Sequence, residues 1–214
     1  MTCARVWAPG VQRVELECAG QRTAMARGAD GWWSVGSTGV WGTGSITPSE
    51  FDEEGPFPDP RSPWQPHGVH GPSRWLDHGR FSVARCRLAG STAARSAVIY
   101  ELHVGTFTPG GTFEAAIDRL DHLKDLGITH VELMPVAEFP GERGWGYDGV
   151  DLFAPHHAYG GPEGLKRLVD ACHRKGLAVL LDVVYNHLGP DGNYLGRFGP
   201  YFTDAYRHPL GRCD

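Results

Sequence analysis

Two short stretches hold the side chains best placed by type and spacing to do chemistry. LLDVVYNH (180–187) is an apolar run that carries an acid, Asp182, and ends in Tyr185, Asn186 and His187. WGYDGV (145–150) sets Trp145, Tyr147 and Asp148 among glycines. A carboxylate within a buried strand is costly to desolvate, so it must be paired or put to use. Taken alone, Asp182 is as readily explained by pairing with a neighbouring Arg. His187 alone is more commonly a loop histidine bonded to backbone, and Trp145 and Tyr147 could be packing lids. His156-His157 is a third candidate, but adjacent side chains are expected to point in different directions. No ligand set completes a site there, so no metal is expected.

Around these stretches the second half of the chain alternates strand with helix. AVIYELHVGTF (97–107) reads as a strand with Glu101 and His103 embedded. Apolar residues at Phe113, Ala116, Ile117, Leu120, Leu123 and Leu126 have helical spacing over 112–127, with Thr112 as N-cap and Gly127 as stop. ITHVELMPV (128–136) is the second strand, and a long loop follows to residue 161. Residues 161–176 are a second helix, and 177–187 the third strand. This order gives parallel strands joined by right-handed crossovers. In such folds ligands meet the C-terminal ends of the strands. The polar tail of LLDVVYNH, His103 and the 134–161 loop all belong to that end. A loop of that length in a compact domain is usually functional.

The first ninety residues have another character. RVWAPG (5–10) and VQRVELEC (11–18) alternate with a period of two, and DGWWSV (30–35) follows an Asp-Gly turn. GPFPDPRSPWQPHGVHGPSR (55–74) is too rich in Pro for a regular element. A small β-sandwich over 1–90, ending in this Pro-rich linker, is the economical reading. Residues 97–214 then supply three βα units. A closed (β/α)8 barrel needs about 250 residues, and three parallel strands alone leave unprotected edges. The expectation is the first part of a TIM barrel, left incomplete.

The totals narrow the function classes. With 41% hydrophobic and 21% charged residues the chain is a packed globular one. A net charge of −5 without a basic run speaks against nucleic acid and anionic membranes as partners. No apolar stretch nears the ~20 residues of a membrane span, and no signal-peptide pattern opens the chain. Five cysteines, an odd number with no Cys-x-x-Cys pair, fit a reducing compartment. The expected setting is cytoplasmic. Seven Trp residues suit either packing or the apolar faces of sugars.

LLDVVYNH resembles the first sequence region of the α-amylase superfamily of glycoside hydrolases. GITHVELMPVAEF (127–139) resembles that superfamily's second barrel strand, and residues 145–187 match it through the third. More narrowly, ELHVGTFTPGGTF (101–113), LGPDGNYLGRFGPYF (188–202) and the Pro-rich stretch look like the malto-oligosyltrehalose trehalohydrolase family. RVWAPGVQRVEL (5–16) is similar to the strand opening its N-terminal immunoglobulin-like module, also seen in branching enzymes. The resemblance implies hydrolysis of the α-1,4 bond next to the terminal trehalose of maltooligosyl-trehalose. It implies no organic cofactor, and a metabolic pairing with the synthase that makes this substrate. A glycogen branching or debranching enzyme, or a non-catalytic glucan-binding module, are the alternatives.

The resemblance also implies roles. Tyr147 matches the aromatic that stacks on the sugar at the cleavage subsite. His187 matches a histidine bonded to one of its hydroxyls. Asp182 matches the acid that pairs an arginine beside the nucleophile. Asn186 matches a polar support, or a calcium ligand in some relatives, and Trp145 and Asp148 shape the loop. The superfamily's nucleophile and acid, about 5–5.5 Å apart in retaining enzymes, follow the fourth and fifth strands, and another Asp follows the seventh. No residue here matches them, so no catalytic residue is assigned and no turnover is expected of the 214 residues alone. Residues 37–53, 82–96 and 206–214 depart from the family pattern, and the first of these lacks strand alternation where the resemblance implies a sandwich strand.

Overall fold

The structure, a computed structural model, describes residues 4–36, 43–48, 56–82, 97–208 and 211–213. Seven short strands come first: β1 (Arg5–Trp7), β2 (Val14–Cys18), β3 (Gln21–Ala24), β4 (Ala26–Arg27), β5 (Trp32–Ser34), β6 (Thr43–Pro48) and β7 (Ser73–Arg74). They form two antiparallel sheets, ordered β3-β2-β6-β7 and β1-β5-β4. The period-two pattern explains them. Val14 and Leu16 are buried while Glu15 and Glu17 are half-buried. Val14 and Leu16 share one apolar cluster with Val6 of β1 and Trp33 of β5, so both sheets bury into a single core. The buried Trp33 indole is satisfied by donating to the Ala8 carbonyl at 2.8 Å.

The 37–53 stretch lacks strand alternation, yet it supplies the strand that the resemblance implies there: β6 pairs along all of β2, from Val14 opposite Pro48 to Cys18 opposite Gly44. A ladder needs only backbone donors and acceptors, so weak side-chain alternation did not prevent it. The 82–96 departure lies, beyond Ser82, outside the described residues. The Pro-rich stretch is held mainly by local bonds. The Asp59 amide donates to Ser73 Oγ at 2.8 Å, and Gln65 Nε2 donates to the Gly71 carbonyl at 3.1 Å.

The second half runs β8 (Ile99–Leu102), α1 (Val104–Phe107), α2 (Phe113–Ile117), α3 (Leu120–Asp125), β9 (His130–Leu133), β10 (Ala137–Glu138), β11 (Asp151–Pro155), α4 (Gly161–Arg174) and β12 (Ala178–Leu181). β8, β9 and β12 make a parallel sheet ordered β12-β9-β8, the arrangement of a partial (β/α)-barrel. Register aligns Leu102 with Leu133 and Leu181, and Tyr100 with Val131 and Val179. Except at Leu181, which is exposed, this face packs on the helices, where Phe113, Leu120, Leu123, Leu168 and Ala171 join Leu102, Val131 and Leu133 in the second core. The other face carries Ile99, Glu101, Glu132 and Leu180, and Ile99 and Leu180 are exposed.

Several boundaries differ from the sequence expectations. The 97–107 strand ends at Leu102, because the His103 carbonyl accepts from the Thr106 and Phe107 amides and starts a helical turn. The 112–127 helix is two helices. Thr112 does cap it, accepting from the Ala115 amide at 3.2 Å, but the Ala116 carbonyl takes the Arg119 amide and tightens the chain between them. The 128–136 and 177–187 strands shrink to four residues each. The ladder's last bond is from the Asp182 amide to the Leu133 carbonyl, at 2.9 Å. The 134–161 loop contains an antiparallel hairpin of β10 and β11. Among the described residues no helix is long and apolar enough to cross a membrane.

α5 (Leu195–Phe198), β13 (Thr203–His208) and β14 (Gly211–Cys213) follow, the last two as an antiparallel pair that overlaps the 206–214 departure. Phe198 follows the third parallel strand in sequence but is fully buried in the N-terminal cluster, with Tyr194 and Tyr201 against it. Phe198→Ala should therefore cost about 3–5 kcal/mol, read as a lowered denaturant midpoint. A second check concerns Asp59, which is buried. Its Oδ1 accepts the Arg61 amide at 2.9 Å. Burial pushes its carboxyl up from 3.8 to about 6, against the pull of that bond and of the Arg61 charge. The folded state thus holds the proton more tightly. The stability from this group is full below the unfolded value near 4 and is lost as pH rises to about 6, on the order of 3 kcal/mol. Chemical denaturation across that window should show the fall, and Asp59→Asn should flatten it.

Candidate substrate-binding site

The expected residues follow the C-terminal ends of the parallel strands, Trp145, Tyr147 and Asp148 in the loop after β9 and Asp182, Asn186 and His187 after β12. Gly146, in the left-handed region at φ 89°, passes so close to β9's exit that an added Cβ would lie 2.2 Å from the Pro135 carbonyl oxygen. Gly189, just past β12's polar tail, passes Asp148 so that an added Cβ would lie 2.3 Å from its carbonyl oxygen, and its amide donates to the Gly149 carbonyl at 3.3 Å. Only residues without a side chain permit both approaches. The WGYDGV loop and the LLDVVYNH tail are thereby held side by side.

Within that frame the Tyr147 hydroxyl donates to Asp182 Oδ2 at 3.3 Å. Asn186 Nδ2 and His187 Nδ1 lie 2.9 Å apart, and both residues are exposed. Trp145, 67% exposed, sits edge-on to His103 at a ring separation of 5.5 Å. Asp148 is exposed and meets Gly189 through its backbone. Tyr147 with Asp182 and Asn186 with His187 are thus two direct pairs, and Trp145 belongs to a third group around His103. His103 Nε2 lies 2.8 Å from the Gly144 carbonyl and 3.1 Å from the Tyr159 hydroxyl. Burial, helped by the Glu138 charge, pushes that hydroxyl up to about 12, so it stays neutral.

Two hollows flank the loop. One, of about 410 Å³, is largely apolar and includes Leu152, Phe153, Leu181, Asp182 and Tyr185. The other, of about 520 Å³, includes His103, Glu142, Arg143, Trp145 and Tyr159. Flat rings beside carboxylate and imidazole groups can stack on a sugar's apolar face and bond its hydroxyls.

Glu101 and Glu132 are the acids most easily missed. They are register partners on neighbouring strands. Tyr147 has its hydroxyl held above the ordinary 10.0, first by desolvation, then by Asp182, and further by Glu101 and Glu132. Glu101 stood out as an acid in an apolar run. Glu132 did not, because ITHVELMPV offers no sign of which neighbour it faces. Glu138, the third, lies fully buried in β10, where only a loop was expected.

Residues 67–206 match the alpha-amylase catalytic-domain family. The chain belongs to that family. Curated relatives of this alpha-amylase-family chain include the malto-oligosyltrehalose trehalohydrolase of Mycobacterium tuberculosis (strain CDC 1551 / Oshkosh), 53% identical over 205 residues, and that of Saccharolobus solfataricus, 44% identical over 214 residues. The matches cover 94% and 96% of this chain but 35% and 36% of those proteins, so the chain spans about a third of their length. A crystal structure of a candidate alpha amylase from Salmonella typhimurium superposes with a TM-score of 0.89 at 44% identity, covering 99% of this chain and 36% of that one.

The Tyr147 environment is directly measurable. Asp182→Asn removes the charge that favours the neutral phenol, so it should lower the Tyr147 pKa toward that of ordinary tyrosine. Ultraviolet difference titration, with Tyr147→Phe identifying the signal, should show ionisation at lower pH in the variant.

Proposed function

We propose that the chain is the front part of a retaining α-glucan hydrolase. The parent enzyme would cleave the α-1,4 bond next to the terminal trehalose of maltooligosyl-trehalose, releasing trehalose. The observation that carries the reading is the Tyr147–Asp182 pair at the mouth of a parallel sheet, in a chain similar to trehalohydrolases over nearly its whole length.

In this reading Tyr147 stacks on the glucose ring at the cleavage subsite. His187, oriented by Asn186, bonds one of its hydroxyls. Asp182, already engaged by the Tyr147 hydroxyl, pairs an arginine delivered by a further strand, and that arginine also answers the charge of Glu101 and Glu132. Such a buried ion pair positions the site more than it stabilises the fold. Trp145 and Asp148 shape the loop. Residues 1–90, whose two sheets share one core, form an immunoglobulin-like sandwich ending in the Pro-rich linker. Residues 97–214 form the first three βα units of the catalytic barrel. The nucleophile and acid would follow the fourth and fifth strands of the barrel. The setting is the cytoplasm, in trehalose biosynthesis, next to the maltooligosyl-trehalose synthase that makes the substrate.

Joining residues 1–214 to the part of the M. tuberculosis relative beyond the match gives a complete barrel to assay. It should release free trehalose from maltooligosyl-trehalose, followed by chromatography. Tyr147→Ala should lower kcat/KM about tenfold, as expected for losing one ring-stacking contact of ~1.5 kcal/mol. Asp182→Asn, which leaves the arginine's charge uncompensated, should lower it roughly 10²–10³-fold. New α-1,6 branches instead of trehalose would overturn the assignment.

A further inference from the structure

We propose that Glu138, His156 and His157 form a binding site for a divalent transition-metal ion of the zinc class, at the base of the hairpin that carries Trp145, Tyr147 and Asp148. Neighbouring histidines were expected to diverge, and here they converge. His156 leaves β11 with an extended backbone (φ −52°, ψ 130°), and His157 begins a 3₁₀ turn over His157–Tyr159. That change of backbone direction cancels the strand's alternation and brings both rings onto Glu138. His156 Nδ1 lies 3.1 Å and His157 Nδ1 2.6 Å from the same carboxylate oxygen, Oε1. One ligand atom from each of the three residues lies within 4.8 Å of the others. Ligands about 2.0–2.1 Å from a tetrahedral zinc stand roughly 3.3 Å apart. The two pairs that include Oε1 already lie near that spacing, so it is the two ring nitrogens that must draw together.

The surroundings favour a cation. Glu138 and His156 are fully buried, and among the described residues no Lys or Arg forms an ion pair with Glu138. Its other oxygen, Oε2, is taken by the His157 amide at 2.7 Å, which fixes the carboxylate with Oε1 toward the two rings. Asp151, its register partner across the hairpin, is also buried, and its Oδ2 has no partner among the described residues. The second nitrogen of His156, Nε2, is likewise buried and unpartnered. Two imidazoles and one carboxylate are a donor set for zinc, cobalt or nickel rather than for calcium or magnesium.

There is also a way in. The His157 side chain is 25% exposed and opens onto a hollow of about 230 Å³ that also includes His67, His70, Glu142 and Asp191. Water from that hollow would fill the fourth position. The ion would then clamp β10 to the end of β11 and order the loop that presents Tyr147.

The test uses the 214-residue chain stripped with chelator and titrated with Co²⁺ alone, then Zn²⁺. We expect one equivalent of Co²⁺ with the visible absorption of a four-coordinate nitrogen–oxygen site, displaced by Zn²⁺, which also raises Tm. His157→Ala should weaken Co²⁺ binding by at least about tenfold. Its partial exposure makes it the variant to trust, with circular dichroism checking the fold, since Glu138→Gln disturbs a buried group. His70→Ala should leave binding intact. Absence of stoichiometric Co²⁺ binding would overturn the proposal. So would binding that survives His157→Ala, or that is lost with His70→Ala while His157 is present.

Discussion

The ladder that pairs β9 on both edges is the constraint from which the site follows. β8 and β12 both run parallel to β9 and share its register, so all three chains leave the sheet on the same side. Parallel pairing demands that each return pass over a face, which places α2, α3 and α4 where Leu133, Val131 and Leu102 can be buried. Everything chemical then has to come from the exits. His103 follows β8, the WGYDGV loop follows β9, and Asp182 is the first residue past β12. The last bond of the ladder, from the Asp182 amide, is what holds that carboxylate at the rim rather than in the core.

Charge and glycine complete the arrangement. Asp182, Glu101 and Glu132 gather negative charge around the Tyr147 hydroxyl. The sheet face that bears Glu101 and Glu132 also exposes Ile99 and Leu180. Gly146 and Gly189 do the positioning work at the rim, since each lets one backbone come within contact of another where any side chain would collide.

The hairpin of β10 and β11 and the placement of α5 link parts that are distant in sequence. Glu138, in β10, gathers His156 and His157 from the end of β11. Phe198 reaches back across the chain into the cluster of Val6, Leu16 and Trp33. The Pro-rich stretch is tied in through His70, whose Nδ1 lies 2.6 Å from the Tyr194 hydroxyl and whose Nε2 lies 3.1 Å from Asp191. The segment beyond β12 is therefore tied to the N-terminal core and to the Pro-rich stretch.

Residue type and periodicity alone determined the order of strands and helices, the burial of Val14 and Leu16, the Thr112 cap and the candidacy of Tyr147, Asp182, Asn186 and His187. These are local properties, carried by spacing along the chain. The break between α2 and α3, the strand at Thr43–Pro48, the hairpin inside the 134–161 loop, the pairing of Tyr147 with Asp182 and the convergence of His156 and His157 on Glu138 were decided only by tertiary structure. Each depends on which distant segment supplies a hydrogen-bond partner or a contact, and sequence spacing carries no record of that. Two adjacent histidines look divergent until a turn between strand and helix rotates one of them onto its neighbour's acid.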